Sequence, residues 1–221
     1  MLENLISLLL HIDVYLNMIV SEYGFATYVI LFLVIFCETG LVVTPFLPGD
    51  SLLFATGALA ASNDDFSIRI LLVSLIIAAV LGNKVNYFIG RFVGPKIFHS
   101  QQSWLLNKKH LAEAHAFYKK HGGKTIILAR FIPIIRTFVP FVAGIGCMPL
   151  KTFTVFNALS GIFWVSSLLY AGYFLGTIPW VSNNLNIVIY IIVAVSLLPP
   201  ILTFIFQKIK SIFMKPADKK Q

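Results

Sequence analysis

Residues 38–57 read ETGLVVTPFLPGDSLLFATG, and residues 124–149 read KTIILARFIPIIRTFVPFVAGIGCMP. Both stretches are apolar enough to enter a bilayer, and both are broken. Pro45, Pro48, Gly49 and Gly57 interrupt the first; Pro133, Pro140, Gly144 and Gly146 interrupt the second. Proline removes an N–H and clashes with the preceding turn, so neither stretch reads as a straight helix. In lipid the freed backbone groups must find partners inside the protein or in a water-filled cavity. This predicts two re-entrant hairpins, about 38–60 and 125–147, with Pro45, Pro48, Gly49, Pro133 and Pro140 as the breaking residues.

The chain around them is made for lipid. Of its 221 residues 58% are hydrophobic and 12% charged, and mean hydropathy is +0.86. A soluble domain carries about 25% charged residues. The expected class is an all-α polytopic membrane protein, with residues 1–221 forming one membrane domain. Residues 23–37 predict a short first span, Ile68–Gly90 a second, and 152–176 and 186–207 two more. Gly172-x-x-x-Gly176 is a small-residue spacing that permits close helix packing. Lys84, six residues before Gly90, reads as a side chain snorkelling to nearby headgroups. Residues 2–19 predict an amphipathic helix at the interface, because Glu3 stands where a signal peptide needs a basic residue.

Net charge is +8. The basic residues collect in the 91–124 loop, whose 104–121 stretch reads as a surface helix, and in the 208–221 tail. Cytoplasmic loops carry such an excess, so the charge speaks of topology rather than nucleic acid. With loop and tail both cytoplasmic, an even number of crossings separates them. Spans 152–176 and 186–207 supply two, so 125–147 must enter and leave on one side. The 62–67 turn, with Asp64 and Asp65, falls outside, and 38–60 dips in from there. Two broken segments from opposite faces, each followed by a full span, make an inverted repeat, as in many secondary transporters. Pro45 against Pro133, and Gly57 against Gly144, are its traces in the sequence. Both chain ends are expected on the cytoplasmic side.

An ionised residue at the centre of a lipid-facing helix costs roughly 2.5–3.5 kcal/mol on insertion scales. Glu38 and Asp50 flank the first break, and Arg130 and Arg136 flank Pro133 in the second. If the hairpins meet, two acids face two arginines. They could simply be salt bridges between hairpins. They could also receive an anion, because guanidinium offers phosphate a planar fork of donors. The carboxylates would then hold the arginines between cycles or carry a proton. A second function class is a proton-coupled transporter of small cations or drugs, with Glu38 and Asp50 as its site. No nucleophile-and-base pair lies in the broken segments, so an enzyme is not expected, nor is any cofactor. Of His99, His110, His115 and His121, the last three are spaced five and six apart, which does not place neighbours on one helical face for a metal. Cys37 and Cys147 read as free, buried thiols.

These motifs carry a resemblance. Glu38-Thr-Gly-Leu, Pro45-Phe-Leu-Pro-Gly-Asp50-Ser-Leu-Leu and Gly57 resemble the first signature of the DedA family. Arg130-Phe-Ile-Pro133-Ile-Ile-Arg136-Thr with Ala143-Gly144 resembles its second, and Gly172-Tyr173 with Gly176 its third. The resemblance spans roughly residues 25–176, and is nearest to Gram-negative inner-membrane members tied to osmotic stress and drug tolerance. It implies two oppositely inserted re-entrant hairpins and a multi-pass protein of the bacterial inner membrane. It implies transport of undecaprenyl phosphate, the polyprenyl phosphate carrier lipid, back to the cytoplasmic leaflet with the proton motive force. Phosphate binding carries over to Arg130 and Arg136, and proton coupling or arginine pairing to Glu38 and Asp50. Related eukaryotic proteins scramble phospholipids, which leaves general scrambling as an alternative, and homo-oligomerisation stays open.

Overall fold

The computed structural model describes residues 24–41, 49–63, 66–97, 122–130, 133–184, 187–188 and 190–191. Every regular element among them is helical: α1 (Ala26–Gly40), α2 (Gly49–Ser62), α3 (Ile68–Ile97), α4 (Lys124–Ala129), α5 (Pro133–Ile145), α6 (Leu150–Gly176) and α7 (Pro179–Asn183). Within α3 and α6, Ile68–Val93 and Leu150–Gly176 are long and apolar enough to cross a membrane. Only one third of each is buried inside the protein. Ile70, Val73, Ile77, Leu81 and Val85 form an exposed stripe on α3, and Val155, Leu159, Ile162 and Phe163 one on α6. At helical spacing, such stripes are faces built for lipid.

The short helices pair into hairpins. Glu38, in the last turn of α1, lies against Gly49, the first residue of α2. At the other end, the Tyr28 and Phe66 rings lie tilted against each other with centroids 5.0 Å apart, and the Ser67 N–H donates to Tyr28 Oη at 2.8 Å. Both ends of the pair therefore meet, and the chain returns to where it began. The helix bounds differ from those expected: most of the apolar stretch 23–37 lies in α1, which runs on through Glu38 to Gly40, and the end of α2 returns to the start of α1. The second hairpin is α4 and α5. Ile126, near its start, shares a core cluster with Ala143 and Met148, near its end.

Each hairpin leans on both long helices. α1 packs on α3 and α4 on α6, while α2 packs on α6 and α5 on α3. Exchanging the first three helices for α4–α6 reproduces this list. The two crossings of hairpin on long helix are equally tight. A Cβ on Gly57 would strike the Leu169 carbonyl, and one on Gly172 the Phe54 carbonyl. On the other side, a Cβ on Gly144 would strike the Tyr87 carbonyl, and one on Gly90 the Phe141 carbonyl. Gly176 meets Ala58 in the same seam, so the small-residue spacing on α6 does serve close packing, as read from the sequence. The long helices run antiparallel and cross where Asn83 Nδ2 donates to Asn157 Oδ1 at 2.9 Å.

Other expectations also move. α3 continues past Gly90 to Ile97, so Lys84 sits half-buried near its middle rather than close to its end. Cys147 is exposed, in the turn after α5, and Cys37 is half-buried, so neither is the fully buried thiol expected. The 2–19 helix, the 104–121 surface helix, the 208–221 tail, Pro45 and Pro48 lie outside the described residues, as does most of the 186–207 span.

Candidate functional site

The hairpin tips meet over the crossing of α3 and α6. Pro133 opens α5 as its first residue, where proline's missing N–H is harmless. The same missing donor denies the Ala129 carbonyl a partner, so α4 stops and Arg130 caps it. Arg136 follows in the first turn of α5. Gly49 opens α2 rather than breaking a helix, and Asp50 stands in its first turn, where a negative charge suits the helix dipole. Pro140 is a correction: α5 runs through it unbroken. Proline cannot donate to the Arg136 carbonyl, and the next carbonyl, that of Thr137, accepts from Asn86 Nδ2 of α3 at 2.8 Å. Asn86 thus braces the helix beside the carbonyl that Pro140 leaves without its usual donor, not that carbonyl itself. Asn86 Nδ2 also reaches the Thr39 carbonyl at 3.2 Å, near the end of α1. One side chain thus ties both hairpins to α3.

All four charged residues converge, but not in the symmetric arrangement expected. Both acids bind one arginine. Arg136 Nη2 donates to Glu38 Oε1, and Nη1 donates to Asp50 Oδ1 at 2.5 Å. Glu38 is 0% exposed and Arg136 9%. Taking charges out of water is expensive, and removing one partner of such a buried pair typically costs about 3–5 kcal/mol. The carboxylates therefore hold Arg136, and with it the second hairpin, against the first. A Cβ on Gly49 would fall on the Glu38 carboxylate, so glycine at 49 is what lets α2 begin there.

Arg130 is held by neutral groups instead. It is 3% exposed, and its Nη1 donates to Asn157 Oδ1 at 3.2 Å and to Ser160 Oγ at 3.4 Å. Asn157 is fixed in turn, its Nδ2 donating to the Val80 carbonyl at 2.9 Å. Trp164 joins the two arginines. Its ring lies 5.0 Å from the Arg130 guanidinium carbon and 4.8 Å from that of Arg136. Its Nε1 donates to Asp50 Oδ1 at 2.8 Å. Cation–π attraction of this kind strengthens when both partners are desolvated.

Asn83, Asn86, Asn157, Ser160 and Trp164 were not singled out from the sequence. The three asparagines carried a usable signal, because an amide inside an apolar span must find a partner and so faces the protein interior. Trp164 carried none, since aromatic residues are ordinary in such helices.

The VTT domain model matches residues 47–174 of the chain. Protein DedA of Escherichia coli (strain K12) is 53% identical over 205 residues, covering 92% of this chain and 94% of that protein. An uncharacterised membrane protein of Mycobacterium tuberculosis (strain H37Rv) is 45% identical over 172 residues, covering 77% of this chain and 75% of its own. Inner membrane protein YqjA of Escherichia coli (strain K12) is 39% identical over 155 residues, 69% of each chain. No solved structure matches the chain.

Proposed function

The chain belongs to the DedA family of VTT-domain membrane proteins, and from that premise we propose that it carries undecaprenyl phosphate across a bacterial inner membrane, coupled to the proton motive force. The observation that supports this most is the site's charge arrangement: a buried and a half-buried carboxylate on Arg136, beside a second buried arginine. A phosphate monoester is the ligand whose charge and geometry can take a carboxylate's place on guanidinium. A carboxylate released from Arg136 is a group that can take up a proton, which gives a route for proton coupling. No chemistry on the lipid is required.

The fold supplies the path in this reading. The arms α1 and α2, of 15 and 14 residues, reach about 22 Å at roughly 1.5 Å per residue, short of the ~30 Å hydrocarbon core. We therefore read the two hairpins as re-entrant from opposite faces, and α1–α3 and α4–α6 as an inverted repeat whose tips meet at the substrate site. The reciprocal glycine crossings and the exchange of packing partners support it. A cation or drug site at Glu38 and Asp50 is the weaker alternative, because both carboxylates already bind Arg136.

The test is carrier-lipid recycling in cells with Arg130→Ala or Arg136→Ala. Both variants should insert and fail to recycle the lipid, and Arg→Lys should restore it only in part, since an ammonium lacks the fork. Normal recycling in the alanine variants would refute the reading. Proteoliposomes extend it: wild-type protein should move the lipid phosphate, and scrambling of ordinary phospholipids at the same rate would favour a general scramblase.

A further inference from the structure

The two arginines differ in what they have left to offer. Both terminal nitrogens of Arg136 are taken by carboxylates, leaving only Nε without a partner. An anion approaching Arg136 meets two negative charges at bonding distance. Arg130 is in the opposite state. Among the described residues no ion pair joins it to a carboxylate, and both partners of its Nη1 are neutral. Its Nη2 is buried with no hydrogen-bond partner among the described residues. A buried unpaired donor is costly, and more so when charged, so such a group is either a defect or a seat awaiting a ligand.

The surroundings of Nη2 favour a seat. The residue beside it is Gly161, in the middle of α6. A Cβ at that position would lie 3.7 Å from Nη2 and 3.0 Å from Val80 Cγ2. Glycine in a helix interior is destabilising relative to alanine. Here the absent Cβ leaves the flank of Nη2 with no side chain from α6, only the Val80 methyl lying close by. Ser160 Oγ, already at Nη1, adds a hydroxyl on the same side chain's rim. Trp164 walls the site and touches both guanidiniums.

We propose that Arg130 is the seat of the anionic headgroup, through Nη2 on the flank where Gly161 carries no side chain, and that Arg136 is a latch, held by Glu38 and Asp50 while the seat is empty. The phosphate then binds first at a position with no carboxylate to displace. Its charge next to Asp50 and Glu38 weakens their hold on Arg136 afterwards. The order matters physically: a direct exchange at Arg136 would have to break two charge-assisted bonds before making any. This inference rests on the reading of the site as a lipid-phosphate carrier, and it assigns different jobs to residues which that reading leaves equivalent.

Trp164 is the natural reporter. The chain has three tryptophans, so the test uses purified full-length protein in detergent carrying Trp104→Phe and Trp180→Phe. Trp164 emission is followed while geranyl phosphate is titrated, with geraniol and inorganic phosphate as separate arms. Geranyl phosphate should shift the emission saturably, and geraniol should not. A response to inorganic phosphate of equal affinity would place the recognition in the headgroup alone. Arg130→Gln, which keeps a donor toward Asn157, should raise Kd at least about tenfold, the loss expected for one charge-assisted hydrogen bond. Gly161→Val, which sets side-chain atoms against Nη2 and alters neither arginine, should do the same. Arg136→Lys, which keeps the latch's charge, should change Kd less than about threefold. Equal losses in Arg130→Gln and Arg136→Lys, or wild-type binding by Gly161→Val, would overturn the assignment while the carrier reading stands. Absence of any geranyl phosphate binding by the parent protein would overturn both.

Discussion

A single carboxylate shows how tightly the site is specified. Glu38 has no exposure, is bonded by Arg136 Nη2, and has the Gly49 backbone pressed against its other flank. A methyl group at 49 has nowhere to go except into that carboxylate. Gly49→Ala should therefore weaken the Glu38–Arg136 bond although alanine is the better helix former. The expected result is a lower thermal midpoint in detergent together with impaired transport, and Glu38→Asp, which shortens the acid, should partly rescue the double variant. An unchanged midpoint in Gly49→Ala would show that Glu38 is free to move. At this scale the four ionised residues were legible in the sequence, because charge inside an apolar stretch has few explanations. Their pairing was not. Nothing in the residue types says that both acids bind Arg136 and that Arg130 rests on Asn157 and Ser160, which depends on where α6 crosses.

Helix against helix, the molecule is held by absent side chains. Gly57 lies in the interior of α2, where alanine would be favoured by roughly 0.5–1 kcal/mol on backbone grounds alone. Its missing Cβ, however, sits on the Leu169 carbonyl, and that of Gly144 sits on the Tyr87 carbonyl. A backbone carbonyl cannot swing aside as a flexible side chain can. Gly57→Ala and Gly144→Ala should both lower the thermal midpoint in detergent, by comparable amounts if the two crossings are equivalent. A rise in either would mean that the helix separates at little cost. The glycine spacing on α6 was readable because small residues four apart have one common use in apolar helices. The hairpin boundaries were misread for an equally physical reason. Residues 23–37 are as apolar as a span, and a helix of 15 residues shows only in three dimensions whether it crosses or turns back. Pro140 was misread because its local effect is to break a helix, while the packing of α5 on α3, with Asn86 bonded to the neighbouring Thr137 carbonyl, comes from residues far away in sequence.

At the scale of the whole molecule, the corrected hairpin changes which side of the membrane a residue occupies. If 23–37 crossed alone, residue 25 and the turn after α2 would lie on opposite faces. With α1 and α2 as one hairpin, they lie on the same face, because Tyr28 touches Phe66 and Ser67. The C-terminal end of α6 belongs there too, since Gly176 packs on Ala58. The opposite end of the molecule holds Cys147, Lys124, Lys151 and Arg91, and leads into the basic 91–124 stretch. If the basic stretch lies on the cytoplasmic side, Cys147 is expected inside, and Phe25 and Thr177 outside. The start of α1 is then expected outside, which differs from the outward-crossing first span read from the charge pattern. Impermeant maleimide labelling checks it directly. Native Cys147 should react in inside-out vesicles and not in whole cells with a permeabilised outer membrane. In a Cys147→Ser background, Phe25→Cys, at a position 75% exposed, and Thr177→Cys should show the reverse pattern. Labelling of Phe25→Cys from the same side as Cys147 would mean that α1 crosses the bilayer. In that event Glu38 and Asp50 could not share Arg136 as they do here, because the two ends of α1 fix where its last turn can be.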